Sequence, residues 1–138
     1  MKLEGGCACG AIRYQIVDEK PRDCGYCHCT ICRRTSGAPA MVFAGVKRTS
    51  LVLAGDEPRV YPSTSFGERW FCALCSTQIA MRDFRFPEDI EIACATLDDP
   101  SAVRPGFHIW VSSRIPWFVT DDDLPTFEGD RPNGEGVS

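Results

Sequence analysis

The sequence has no long apolar run, no excess of positive charge and almost no helical periodicity, and each absence excludes something. Its apolar stretches are as short as Ala40-Met41-Val42-Phe43-Ala44, far below the roughly 20 residues a helix needs to cross a bilayer. Met1 to Gly6 lacks the apolar core of an export signal. The expected compartment is therefore the cytoplasm, with no membrane partner. Fifteen Lys and Arg stand against 19 Asp and Glu, a net charge of −4, which argues against a general nucleic-acid binder. No internal repeat is present, and nothing in the sequence speaks to oligomeric state. With 138 residues, 43% of them hydrophobic and 25% charged, the chain suits one globular domain with its own core.

What is there is β-like. Alternating or β-rich segments over residues 11–17, 40–44, 50–54, 59–61, 65–72, 77–81, 89–95 and 107–111 predict strands, separated by Gly, Pro, Asp and Ser. Single helical turns are predicted only at 30–36 and 100–103. The expected fold is mostly β. Residues 1–128 form one domain, and 129–138, rich in Gly and polar residues, form a loose tail.

The chain also has nine cysteines. An odd number cannot pair completely within one chain, and disulfides are rare in a reducing cytosol. Seven of the nine fall into tight clusters: Cys7-Ala8-Cys9, then Cys27-His28-Cys29-Thr30-Ile31-Cys32, then Cys72-Ala73-Leu74-Cys75. Pairs separated by one or two residues can face one ion across a tight turn, and zinc takes four sulfurs in a tetrahedron. Cys7, Cys9, Cys72 and Cys75 together make a closed structural site. The competing reading of Cys72 and Cys75, a redox pair, requires a following helix in a βαβ setting, which the sequence lacks. Cys27, Cys29 and Cys32 offer three sulfurs, and three ligands leave a reactive fourth position. Cys24 stands three residues earlier and could close that site into a second structural one. Spacing leaves both possibilities open.

Three motifs in order carry a resemblance. Gly5-Gly6-Cys7-Ala8-Cys9-Gly10-Ala11-Ile12-Arg13-Tyr14, Cys27 to Ala38, and Phe71-Cys72-Ala73-Leu74-Cys75-Ser76-Thr77-Gln78-Ile79 resemble the glutathione-dependent formaldehyde-activating enzyme family, which includes centromere protein V. Thr96 to Pro100 and His108 to Trp117 resemble its closing segments. The resemblance implies a β-tent of antiparallel sheets, a structural zinc on Cys7, Cys9, Cys72 and Cys75, and a second, exchangeable zinc on Cys27, Cys29 and Cys32. It implies a carbon–sulfur lyase that joins glutathione, or a similar thiol, to formaldehyde as S-hydroxymethylglutathione. The chain departs from the pattern at Ser76, where the family usually has Gly, and at Cys24.

In that reading Cys27, Cys29 and Cys32 are the catalytic candidates. A zinc there could hold a thiolate or polarise an aldehyde. Arg33 and Arg34 could meet the carboxylates of an acidic tripeptide, or else form surface ion pairs. His28 reads as a packing histidine, His108 as a satisfied structural histidine with pocket lining second, Cys94 as a buried thiol, Phe66, Trp70 and Phe71 as strand core, and Asp121 to Asp123 as a solvated loop. A non-catalytic zinc scaffold with two closed four-cysteine sites is the rival. A redox sensor is a third class.

Overall fold

A computed structural model describes residues 3–131. Two sheets carry the chain. The smaller joins β1 (Leu3–Gly6), β2 (Ile12–Ile16) and β5 (Leu51–Gly55) in the order β1-β2-β5. The larger joins β3 (Arg22–Cys27), β4 (Met41–Lys47), β6 (Arg59–Thr64), β7 (Gly67–Phe71), β8 (Gln78–Asp83), β9 (Asp89–Ala93) and β10 (His108–Ile109) in the order β10-β3-β4-β9-β8-β7-β6. The fold is mostly β, as expected. One helix, α1 (Thr30–Ser36), follows the second cysteine cluster. No helix among the described residues is long and apolar enough to cross a membrane.

Alternation along the strands builds two cores. Ile12, Tyr14 and Ile16 of β2, each at most 1% exposed, turn toward Ala44, Val46, Ile79, Ile90 and Ile92 of the larger sheet. Phe43, next to Ala44, and Met81, next to the first cluster's Ala80, join a second cluster with Cys27, Cys32, Ala93, Phe107 and Ile109. The larger sheet thus contributes buried side chains to two clusters. Gly5 shows how closely the smaller sheet is fitted: a Cβ there would lie 2.4 Å from the Tyr14 hydroxyl oxygen and 2.6 Å from the Thr96 carbonyl oxygen. The freed space lets Tyr14 bond Thr96 Oγ1 at 2.7 Å.

The structure departs from the sequence reading in particular places. β1 and β3 were not expected, because glycines and cysteines stand where β-formers would announce a strand. The pairing is not wholly antiparallel: β10 runs parallel to β3. The 107–111 strand shortens to His108–Ile109, because Trp110 adopts φ 58° and Val111–Ser113 make a 3-10 turn. On β7, Trp70 and Phe71 are only half-buried, as is Phe66 just before it, and the fully buried side chain is Arg69 at 1% exposure. Two residues of the expected tail, Gly129 and Arg131, bond to the domain. Trp110 N–H donates to the Gly129 carbonyl at 3.0 Å, and Arg131 pairs with Asp23 at 3.1 Å. Residues 132–138 of that tail lie outside the described residues.

Candidate metal centres

Two hairpin tips meet to form the first centre. Cys7 and Cys9 occupy the β1–β2 turn, where Gly10 N–H donates to the Cys7 carbonyl and Gly10 takes φ 81°. Cys72 and Cys75 occupy the β7–β8 turn, closed by Ser76 N–H donating to the Cys72 carbonyl at 2.9 Å. Thr77 stitches the tips together, accepting from Ala8 N–H at 3.0 Å and lying 3.2 Å from Cys75 Sγ. The four sulfurs all lie within 4.8 Å of one another. Cys7 and Cys9 are 3.7 Å apart, and Cys9 and Cys72 are 3.8 Å apart. Four sulfurs held tetrahedrally at zinc–sulfur distances of about 2.3 Å sit about 3.8 Å from each other, so the donor set fits the ion. Backbone N–H groups aim at the sulfurs: Ile12 at Cys7 from 3.2 Å, and Leu74 and Cys75 at Cys72 from 3.4 Å. At Cys7, against the opposing effect of burial, the Ile12 N–H and the neighbouring sulfurs of Cys72 and Cys9 draw the thiol below its ordinary value. The Thr77 hydroxyl beside Cys75, helped by backbone N–H groups, pulls that thiol down to about 5.

The second centre is built from one short stretch of chain. Cys27 ends β3, Cys29 caps α1 and Cys32 lies in its first turn. Cys32 N–H donates to Cys29 Sγ at 3.3 Å, an N-cap bond with sulfur in place of the usual oxygen. The three sulfurs lie within 4.8 Å of one another. Cys27 and Cys32 are fully buried, and Cys29 is half-buried, so the cluster opens toward Cys29. The neighbouring sulfurs of Cys27 and Cys32, the N–H of Cys32 and the Arg69 guanidinium hold the Cys29 thiol far down, at about 2. Cys27 is pushed well up by the same crowding of sulfurs. Three thiols this close cannot all ionise without a cation among them.

Cys24 does not join this set. Its sulfur lies 3.9 Å from that of Cys94 instead, which leaves three sulfurs at the second centre and removes the four-cysteine alternative suggested by spacing.

The arginine at the cluster is not one of those read from the sequence. Arg33 and Arg34 lie in the last turn of α1. Arg33 reaches Thr30 Oγ1 at 3.4 Å, and Arg34 is exposed. Arg69 instead brings both of its terminal nitrogens to 3.5 Å from Cys32 Sγ, with Thr35 Oγ1 at 3.4 Å and the Phe43 ring centroid 5.8 Å away. A buried guanidinium requires negative charge nearby. Three thiolates around a divalent ion carry about −1 in total, and one arginine balances that. The only trace in the sequence is a lone cation inside a short β-run.

A chain of side chains also leaves the Cys27–Cys29 loop. His28, fully buried, places Nε2 2.8 Å from His108 Nδ1. His108 Nε2 lies 2.9 Å from Asp122 Oδ2. The carboxylate accepts, so His108 donates from Nε2 and accepts at Nδ1, and His28 donates from Nε2. His28 Nδ1 is left as a buried acceptor without a hydrogen-bond partner. Burial and the neighbouring His108 push His28 down to about 4, so it is neutral at pH 7. Tyr26 stacks on His108 with ring centroids 4.5 Å apart and planes 6° from parallel. The reading of His108 as a satisfied structural histidine agrees with this chain, whereas the packing reading of His28 and the solvated-loop reading of 121–123 do not include its bonds.

Comparison with known proteins identifies the family. The family described as "Glutathione-dependent formaldehyde-activating enzyme" matches residues 2–113. A Halomonas elongata protein named "Putative glutathione-dependent formaldehyde-activating enzyme" is 31% identical over 125 residues, covering 85% of this chain and 80% of its own length. A Schizosaccharomyces pombe protein named as an uncharacterized lyase is 37% identical over 78 residues, 56% of each chain. A crystal structure of a Rhodobacter sphaeroides protein superposes with a TM-score of 0.57 at 24% identity, covering 74% of this chain and 91% of that one. That last likeness supports the fold alone.

Proposed function

The chain belongs to the glutathione-dependent formaldehyde-activating enzyme family, and from that premise we propose that it is a zinc-dependent carbon–sulfur lyase acting on a thiol adduct of a small aldehyde. The reaction joins R–SH and an aldehyde into R–S–CH2OH, or divides that adduct again. The observation that carries the reading is the three-sulfur set of Cys27, Cys29 and Cys32, with Cys24 turned away to Cys94. Three protein ligands leave a position for substrate, whereas four close it.

Zinc bound there would supply Lewis acidity and hold a substrate thiol as thiolate. The protein's own contribution is distributed. Cys27 and Cys32 form the buried floor and Cys29 the accessible rim. Arg69 offsets the excess negative charge of the sulfurs. The His28–His108–Asp122 chain fixes the imidazole between two ligands in one tautomer and so orients the ligand loop. Cys7, Cys9, Cys72 and Cys75 hold the structural ion. Arg33 and Arg34 remain candidates for the carboxylates of glutathione, from the surface of α1.

Because such adducts also form unaided, the test is acceleration. The exchange rate between formaldehyde with glutathione and S-hydroxymethylglutathione is measured by NMR with zinc-loaded protein and with Cys29→Ser. Wild type should exceed the unaided rate, and Cys29→Ser should return to it while retaining its fold. Equal rates for wild type and buffer would overturn the lyase reading.

A further inference from the structure

We propose that Cys24 and Cys94 form a redox-active dithiol, separate from both metal centres, that closes to an internal disulfide by exchange with a low-molecular-weight disulfide. Neither sulfur belongs to a metal-ligating set. They lie 3.9 Å apart although 70 residues separate them in sequence, and a disulfide needs them at about 2.05 Å.

The chain puts Cys24 there by a local irregularity. The β3–β4 register shifts between Arg22 and Gly25, and Asp23 takes φ 54°. A bulge of this kind re-aims the side chain that follows it. Cys24 leaves the ligand cluster three residues ahead and packs on the core beside Cys94, in the 3-10 turn Cys94–Thr96.

The two thiols differ in access. Cys24 is half-buried and lines a surface cleft of about 290 Å³ with Lys20, Pro21, Asp23, Val103 and Arg104. Cys94 is 3% exposed. A reagent in the cleft therefore meets Cys24 first. Lys20 and Arg104 bring positive charge to that cleft, which favours a carboxylate-bearing disulfide such as oxidised glutathione. The contact with Cys94 lowers Cys24 from the ordinary thiol range, and the same contact together with burial raises Cys94. The more accessible sulfur is thus the nucleophile and the buried one the resolving thiol.

The Cys24 thiolate attacks one sulfur of R–S–S–R, forms Cys24–S–S–R and releases RS⁻. Cys94 passes its proton to that thiolate and attacks the Cys24 sulfur, and the second RS⁻ leaves and takes up the proton first lost by Cys24. Two protein thiols are oxidised to one disulfide while R–S–S–R is reduced to two RSH. The product ties β3 to the turn after β9, across β4. The inference is independent of the lyase reading.

The test uses the full, zinc-loaded chain in glutathione redox buffers, followed by acid quenching, N-ethylmaleimide alkylation, digestion and mass spectrometry. A Cys24–Cys94 cross-linked peptide should grow with the proportion of oxidised glutathione while bound zinc stays constant. Cys94→Ala should stop at a glutathione mixed disulfide on Cys24. Cys24→Ser, at the half-buried position, should leave Cys94 fully alkylatable after denaturation. The proposal fails if wild type yields no such peptide, if zinc is lost before it forms, or if Cys94 is glutathionylated equally in Cys24→Ser.

Discussion

The two sulfur clusters use the same ligand chemistry in opposite ways. The first gathers Cys7 and Cys9 with Cys72 and Cys75, from hairpin tips in different sheets. Cys9 is exposed and Cys75 half-buried. The second takes all its sulfurs from residues 27–32, sinks two of them completely, and sets a buried arginine and a buried histidine alongside. An ion in the first would close a long loop and join two sheets. An ion in the second would join only neighbours that β3 and α1 already hold. The first arrangement has leverage on folding, the second on chemistry.

Removing one ligand from each cluster is the strongest way to break this contrast. Cys72→Ser should cost ~5 kcal/mol or more, because metal affinity at such a site is also folding free energy. A domain of this size would then melt lower by ~15 °C, or fail to fold. Cys29→Ser should lose one equivalent of zinc and change stability by ~1 kcal/mol or less, since its local frame persists. Calorimetry with zinc analysis of both variants checks the pair. Similar melting losses in the two would dissolve the distinction.

Arg69 sharpens the comparison one step further, since the first cluster has no counterpart to it among the described contacts. Arg69→Met keeps the volume and removes the charge, leaving the sulfurs of the second centre uncompensated. Destabilisation of ~3 kcal/mol is expected, together with selective loss of the zinc held by Cys27, Cys29 and Cys32. Arg69→Lys should retain more of that zinc, though a single ammonium cannot reproduce the two-nitrogen approach to Cys32. Zinc retained per chain against a graded chelator reads both effects. Parallel loss from both centres would mean that Arg69 serves the fold rather than the cluster.

Much of this contrast could be read before the fold was known. The joining of Cys7 and Cys9 with Cys72 and Cys75 follows from short spacings that only a turn can satisfy. Strands with apolar alternation, such as β2 and β9, were legible for the same local reason, and α1 spans the expected residues. What escaped is tertiary. β1 tolerates two glycines because Tyr14 fills the space of one of them. Arg69 is buried because α1 lays Cys32 across it, and nothing on β7 itself announces that. The His28–His108 bond spans 80 positions. Cys24 leaves its neighbours because of a one-residue bulge, a backbone event that its spacing from Cys27 does not encode.

The smallest expected effect concerns Ser76, where the chain departs from the family's usual glycine. Ser76 closes the turn that presents Cys72 and Cys75, and it does so at φ 65°. A residue with a Cβ pays ~1 kcal/mol or more in that left-handed region, while glycine costs ~0.5–1 kcal/mol of additional chain entropy on folding. The two nearly cancel, so Ser76→Gly should stabilise by only ~0.5 kcal/mol, about 2 °C in melting temperature. The sign carries the information. Strain at this turn bears on the four-sulfur centre alone, so the variant should strengthen zinc retention there and leave lyase turnover unchanged. A loss of stability would mean that the Ser76 side chain contributes to the turn more than its strain removes. A change in turnover would show that the two centres communicate through β7, the strand that carries Arg69 at one position and leads into Cys72 at its end.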